Sequence, residues 1–205
     1  MADRSLAESK KRGLKNGFVF GFFDESGFAD RPHTVRTWGI RGRTPIIRSR
    51  GGWKRITAAG MIMFRAKSKR ASALAWLSKR GMRKEKVLTI LRDLKRRFNK
   101  MNHLVLVWDG LPAHRAKAVK LFIEENRSWL TVYRFPAYAP ECNPQEYLWS
   151  AVKRKDMGNY CPKTVALLRN KVYRSLTRRN TATSFLKGCL RASGLFNAKE
   201  LGESQ

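Results

Sequence analysis

Gly17-Phe-Val-Phe-Gly-Phe-Phe-Asp24 is an apolar, aromatic run that stops on a carboxylate. A run of this kind without polar alternation is the pattern of a strand buried on both faces. Leu104-Val-Leu-Val-Trp108 repeats it and stops on Asp109. A third acid, Glu146, lies in Pro140-Glu-Cys-Asn-Pro-Gln-Glu-Tyr-Leu-Trp149, where Pro144 suits the opening position of a helix. A charge beside an apolar strand is costly unless something pairs with it. Three such carboxylates brought together make an oxygen-ligand site for Mg²⁺ or Mn²⁺.

The rest of the chain is read outward from these runs. Residues 1–16 are polar and basic, a tail or frayed helix. Short strands are expected at 35–40 and 45–48, around the turn at 41–45, and a longer one at 54–64. Residues 65–81 are basic and ambiguous. A helix over 83–100 follows from Val87, Leu88, Leu91, Leu94 and Phe98 on one face. A second helix, 114–127, carries Ala118, Val119, Phe122 and Ile123, and a strand is expected at 130–135. A helix starting near Pro144 carries Glu146, and 163–195 reads as one or two short basic helices. The last ten residues read as disordered. Strands first, then alternating helix and strand, predict an α/β domain whose mixed sheet begins as an antiparallel meander and grows by parallel crossovers.

Composition narrows the partner. The chain of 205 residues holds 44 Lys and Arg against 15 Asp and Glu, a formal net charge of +29. That excess is far beyond what solubility requires, and a polyanion is its simplest partner, because neutralised phosphates release counterions. A structural RNA-binding protein would share this charge, yet it has no need of carboxylates at the ends of apolar runs. No apolar stretch approaches the length of a membrane span, and the N-terminus has no apolar signal core, so an intracellular, cytoplasmic protein is expected. Cys142, Cys161 and Cys189 are odd in number and lack Cys-x-x-Cys spacing, which points to reduced thiols. Acids and charge together read as a metal-dependent enzyme acting on nucleic acid.

The order of these features, strand to Asp24, strand to Asp109, helix with Glu146, resembles the catalytic domain of DDE transposases. Four local words are similar to mariner-type insertion-sequence transposases: Asp24-Glu-Ser-Gly-Phe28, Thr37-Trp-Gly-Ile-Arg-Gly42, Trp108-Asp-Gly-Leu-Pro-Ala-His114, and Pro136-Ala-Tyr-Ala-Pro-Glu-Cys-Asn-Pro-Gln-Glu-Tyr-Leu-Trp149. Thirty-six residues separate Asp109 from Glu146, close to the family spacing. The resemblance implies a ribonuclease H-like mixed five-stranded sheet flanked by helices. It implies a basic tail at 1–16, a catalytic domain at 17–160, and a basic helical extension and tail at 161–205. Asp24, Asp109 and Glu146 match the three catalytic acids and would be the metal ligands of a two-metal site. The implied activity is cleavage of DNA at transposon ends and transfer of the 3′ hydroxyl into target DNA.

Other residues carry plainer expectations. Glu25 is expected to be structural, because neighbouring strand residues point to opposite faces. Glu141 lies among prolines and is a weaker ligand candidate than Glu146. His114 is expected to cap the following helix, with phosphate contact as the alternative. Trp38, Trp53, Tyr138 and Trp149 are expected to pack in the core or in turns first and to stack on bases second. The basic runs Lys10–Arg12, Lys67–Arg70, Lys95–Arg97 and Lys153–Lys155 are candidates for phosphate contact. Because the first catalytic strand begins near residue 17, a helix-turn-helix region of the kind the family usually carries ahead of it is not expected in this chain. The chain is then expected to act in the nucleoid as a homodimer or with a partner that recognises the ends. The alternative is a catalytically inert DNA-binding remnant.

Overall fold

The structure, a computed structural model, describes residues 2–49, 52, 54–79, 81–98, 103–136 and 139–203. Trp53 and Tyr138 lie outside the described residues. Five strands form one sheet in the order β3-β2-β1-β4-β5. They are β1 (Val19–Ala29), β2 (Arg55–Arg65), β3 (Arg70–Ser78), β4 (Leu104–Trp108) and β5 (Leu130–Arg134). β1, β2 and β3 pair antiparallel, and β4 and β5 add parallel beyond β1. The expected meander followed by crossovers is therefore present.

Helices cover both faces. On one face α2 (Lys84–Phe98) and α3 (Lys117–Glu125) bury Val87, Ile90, Leu91, Leu94, Phe98 and Val119 against Phe23, Leu106 and Trp108. On the other, α4 (Pro144–Ala151), α5 (Val165–Asn180) and α6 (Thr183–Ala192) pack on Phe20, Phe22, Ile62 and Val105. Because strand residues alternate, the faces separate by parity: Phe22 and Asp24 look toward α4, Phe23 and Glu25 toward α2 and α3. α1 (Ala2–Asn16) is a helix of 15 residues, held to the C-terminal end by Lys10–Glu200 at 2.8 Å.

Several boundaries differ from expectation for physical reasons. β1 does not stop at Asp24; β2 is long enough to pair with it through Ala29. The ambiguous stretch 65–81 holds β3, whose signal is muted because Ala71 and Ala73 supply one buried face where larger side chains would have advertised it. The segments 35–40 and 45–48 are not strands. They form an exposed irregular loop whose Pro45 has no N–H for a ladder, and no strand pairs with it among the described residues. α3 begins three residues later than expected, after a turn at 112–115. α5 runs for 16 residues, so it is not short. The C-terminus, read as disordered, carries α7 (Ala198–Leu201), with an Asn197–Glu200 capping box and a fully buried Leu201.

Past α4 the chain widens into a π-helical turn at Val152–Asp156. Asp156, nearly buried, accepts from Ser175, Arg178 and Arg179 of α5. The three cysteines are free. No helix among the described residues is long and apolar enough to cross a membrane.

Candidate active site

β1 and β4 pair in parallel from Val19–Leu104 to Phe22–Val107, after which β4 parts from β1 while β1 continues. Asp24, midway along β1, and Asp109, just past the end of β4, stand at that divergence, near where open α/β sheets gather their chemistry. Asp24 is 8% exposed and faces α4. The α4 helix starts at Pro144, with the Asn143 side chain accepting from Gln145 N at 3.1 Å as its N-cap. Glu146 and Trp149 lie three residues apart on this helix and so share one side of it. The Trp149 indole donates to Asp24 Oδ2 at 3.1 Å. Glu146 itself is exposed.

Burial raises the proton affinity of Asp24, and the negative charges of Glu146, Glu25 and Asp109 add to it, carrying its pKa up to about 7. Neither Asp24 nor Glu146 forms an ion pair among the described residues.

The opposite face holds an arrangement that the alternation of side chains did not reveal. His114 is buried, its ring stacked on Trp108 with centroids 4.3 Å apart and planes at 2°. Its edge meets Phe23 at 5.8 Å. Nδ1 lies 2.8 Å from Asp109 Oδ1, and Nε2 lies 3.1 Å from Glu25 Oε1. Burial works to lower the His114 pKa, but the two carboxylates outweigh it and hold it at about 9, so both ring N–H groups donate at neutral pH. Asp109 answers in kind. Burial pushes its pKa up, but the hydrogen bonds from His114 and from Leu111 N leave it lowered.

His114 is thus not a helix cap: α3 has Ala116 at its N-cap position and no capping side chain. Glu25, on the face opposite Asp24 as expected, is half of this buried pair, and its Oε2 has no hydrogen-bond partner among the described residues. The signal for it was the Asp-Glu doublet itself, two acids at one point of a strongly basic chain.

Glu25, Asp109 and His114 are the one set of three ligand atoms within 4.8 Å of each other among the described residues. Asp24, Asp109 and Glu146 do not close into such a set. They are coupled through charge, with Asp109 between the two faces: its Oδ1 is held by His114, and its charge reaches Asp24.

The sequence matches the DDE superfamily endonucleases over residues 19–163, which contain all five of these residues. The chain belongs to that family. No curated protein matches it in sequence. Its fold is the ribonuclease H-like fold of the mariner transposase catalytic domain. The paired-end complex of mariner Mos1 with Mg matches 100% of this chain and 61% of that one, at 13% identity and a TM-score of 0.62. The complex described as the Mos1 mariner paired end complex with Mn matches 95% and 61%, at 17% identity and a TM-score of 0.57. The isolated Mos1 catalytic domain matches 94% and 90%, at 14% identity and a TM-score of 0.51. The chain therefore spans about three fifths of the transposase chains in those DNA complexes and nearly all of the catalytic domain.

Proposed function

We propose that this endonuclease domain is the catalytic domain of a mariner-type transposase. It would cut DNA at transposon ends and join the 3′ hydroxyl to target DNA, using Asp24, Asp109 and Glu146. The observation that carries the reading is the state of Asp24. It is a buried carboxylate without a cationic partner among the described residues, surrounded by three more carboxylates in a chain of net charge +29. A cation joining such a group offsets the burial and repulsion that disfavour its charged form. The oxygen donors suit Mg²⁺ or Mn²⁺ rather than a softer metal, and the similar Mos1 complexes were solved with Mg or Mn.

Metal bound there would supply activation of the attacking oxygen and stabilisation of the leaving one. Asp24 and Asp109 would be ligands from the sheet, and Glu146 a ligand from α4. Trp149 fixes the Asp24 carboxylate by its indole N–H, and His114 fixes Asp109 and keeps it ionised. Cleavage uses water as nucleophile and joining uses the 3′ hydroxyl, so one site serves both.

DNA is the proposed substrate, both transposon ends and target. A homodimer or a partner chain would supply end recognition, and the setting would be the nucleoid of the cytoplasm. Residues 17–160 would be the catalytic unit, with 1–16 a basic N-terminal segment and 161–205 a basic helical extension that shares its core.

The test is nicking and joining of supercoiled plasmid in Mg²⁺ and Mn²⁺ by wild type, Asp24→Ala, Asp109→Ala and Glu146→Gln. Metal-dependent cleavage lost in all three variants, with Glu146→Gln still binding DNA, is the expected result. A folded wild type that binds DNA but never cuts it would favour the inert remnant.

A further inference from the structure

Glu25 occupies a place that neither stability nor the charge of the chain explains. It follows Asp24 on β1, and strand alternation turns it to the opposite face, toward α2 and α3. Its side chain is 8% exposed. In a chain with 44 Lys and Arg it pairs with none of them among the described residues, and its ionic partner there is His114. A buried ion pair adds little over apolar side chains of the same volume, so stability does not call for an acid at this position.

The bond to His114 selects how that ring is turned. The imidazole lies flat on Trp108, with centroids 4.3 Å apart and planes at 2°, and meets Phe23 at 5.8 Å. This packing fixes the plane of the ring. A half-turn about the Cβ–Cγ bond would keep the stack yet put carbon where each nitrogen stands. The contact of Nε2 with Glu25 Oε1 at 3.1 Å holds the ring against that half-turn. Nδ1 then lies 2.8 Å from Asp109 Oδ1 and 3.3 Å from the Asp109 backbone O. Both ring nitrogens are engaged, so His114 is a strut between two carboxylates. Glu25, buried on the central strand, is its fixed end. Asp109, 40% exposed just past β4, is the end it steadies.

The two oxygens of Asp109 are left unequal by this. Oδ1 takes the His114 Nδ1–H and also accepts from Leu111 N at 3.1 Å. Oδ2 takes no hydrogen bond among the described residues, which leaves it as the oxygen for a divalent cation.

We propose that Glu25 is a positioning residue for cleavage and joining: acting through His114, it holds Asp109 by Oδ1 so that Oδ2 stands free for the metal. The proposal rests on the reading of Asp109 as a metal ligand and adds a further acid to it. It gives the Asp24-Glu25 doublet one task on two faces of the sheet. β1 supplies one ligand directly, as Asp24, and steadies a second through Glu25. Loss of a hydrogen-bond partner one step removed from a metal typically costs about 10–100-fold in its affinity.

The test is Mn²⁺ binding to the intact chain without DNA, followed by the electron paramagnetic resonance signal of the free ion, for wild type, Glu25→Gln and Glu25→Leu. Gln can still meet Nε2, as acceptor or as donor, whereas Leu can do neither. Glu25→Leu is expected to bind Mn²⁺ about tenfold more weakly, and Glu25→Gln within about threefold of wild type. The Mg²⁺ concentration for half-maximal plasmid cleavage should rise in Glu25→Leu by a similar factor, with most of the rate recovered at saturating metal. Nitrogen NMR follows the strut itself in the metal-free protein. The chain has three histidines, and Glu25→Leu should lose the exchange-protected His114 Nδ1 proton that wild type and Glu25→Gln keep. Should Glu25→Leu not fold, Glu25→Ala carries the same expectation. Mn²⁺ bound equally by wild type and a folded Glu25→Leu overturns the positioning role. So does a Glu25→Gln as weak as Glu25→Leu, which would make the charge of Glu25, not its bond, the active property. A wild type that takes up no Mn²⁺ would instead remove the metal reading, and the proposal with it.

Discussion

The indole nitrogen of Trp149 lies 3.1 Å from Oδ2 of Asp24, a hydrogen bond between the middle of β1 and the last turn of α4. It joins two residues 125 positions apart and fixes a carboxylate that the fold otherwise disfavours as a charge. Asp24 therefore couples the site to the stability of the whole domain.

The sign of that coupling is set by the raised pKa. Asp24 titrates at 3.8 in the unfolded chain and at about 7 when folded, so the folded state binds the proton more tightly. Stability of the metal-free protein is then expected to fall as pH rises from about 4 to about 7, by at most about 1.4 kcal/mol per unit, and to level off above. Asp24→Asn should flatten that stretch and melt higher than wild type at pH 8 without metal. Mg²⁺ or Mn²⁺ should raise the wild-type melting temperature at pH 8 and do less for the variant. Calorimetry across pH with and without metal checks this, and a wild type indifferent to both would refute it.

His114 acts with the same sign in a higher window. Its folded pKa of about 9 exceeds the ordinary 6.5, so the stability from its two carboxylate bonds is complete below 6.5 and is lost as pH rises through about 9. His114→Gln leaves the Glu25 carboxylate, 8% exposed, without its cation, and is expected to cost about 3 kcal/mol at pH 7. Denaturant titrations at pH 7.5 and 9.5, above the Asp24 window, should show the wild type losing stability between them and the variant nearly constant. A wild type equally stable at both values would mean the imidazole is not charged in the fold.

Gly60 is the partner of Asp24 in the β1–β2 register, and α4 lies directly on it. A Cβ there would strike the Gln145 amide and lie 2.8 Å from the Trp149 ring. Gly60→Ala is therefore expected to destabilise by about 1–3 kcal/mol, the range for overpacking, and to lower cleavage more than stability explains, by displacing Trp149 from Asp24. Gln145 is fully buried, and neither atom of its amide has a hydrogen-bond partner among the described residues. Gln145→Met should raise stability by about 1–2 kcal/mol, since it removes an unpaired polar group from the interior. Thermal melts of the two variants check both signs, and a destabilised Gln145→Met would show that the amide is satisfied.

The two apolar runs were legible because buried strands must be apolar throughout, and a carboxylate at the end of one stands out. The helix bearing Glu146 was legible from Asn143-Pro144, a cap and an N1 proline. What lay hidden depends on the third dimension. Alternation separates Glu25 from Asp24, but only the turn at 111–115 brings His114 under Trp108 to meet it. β3 was masked because alanines make its buried face. Trp38 was misplaced into the core because hydrophobicity predicts burial only when the fold supplies a surface to bury against, and none faces this loop.

The excess of cations governs how tightly DNA is held and how salt loosens it. Each phosphate contact releases counterions, so log affinity should fall linearly with log salt, with a slope of about −0.9 per contact. A protein with +29 and long basic helices is expected to make at least about six such contacts, losing roughly a thousandfold in affinity between 50 and 200 mM salt. Anisotropy titrations at four salt concentrations measure this, and a log affinity indifferent to log salt would refute it.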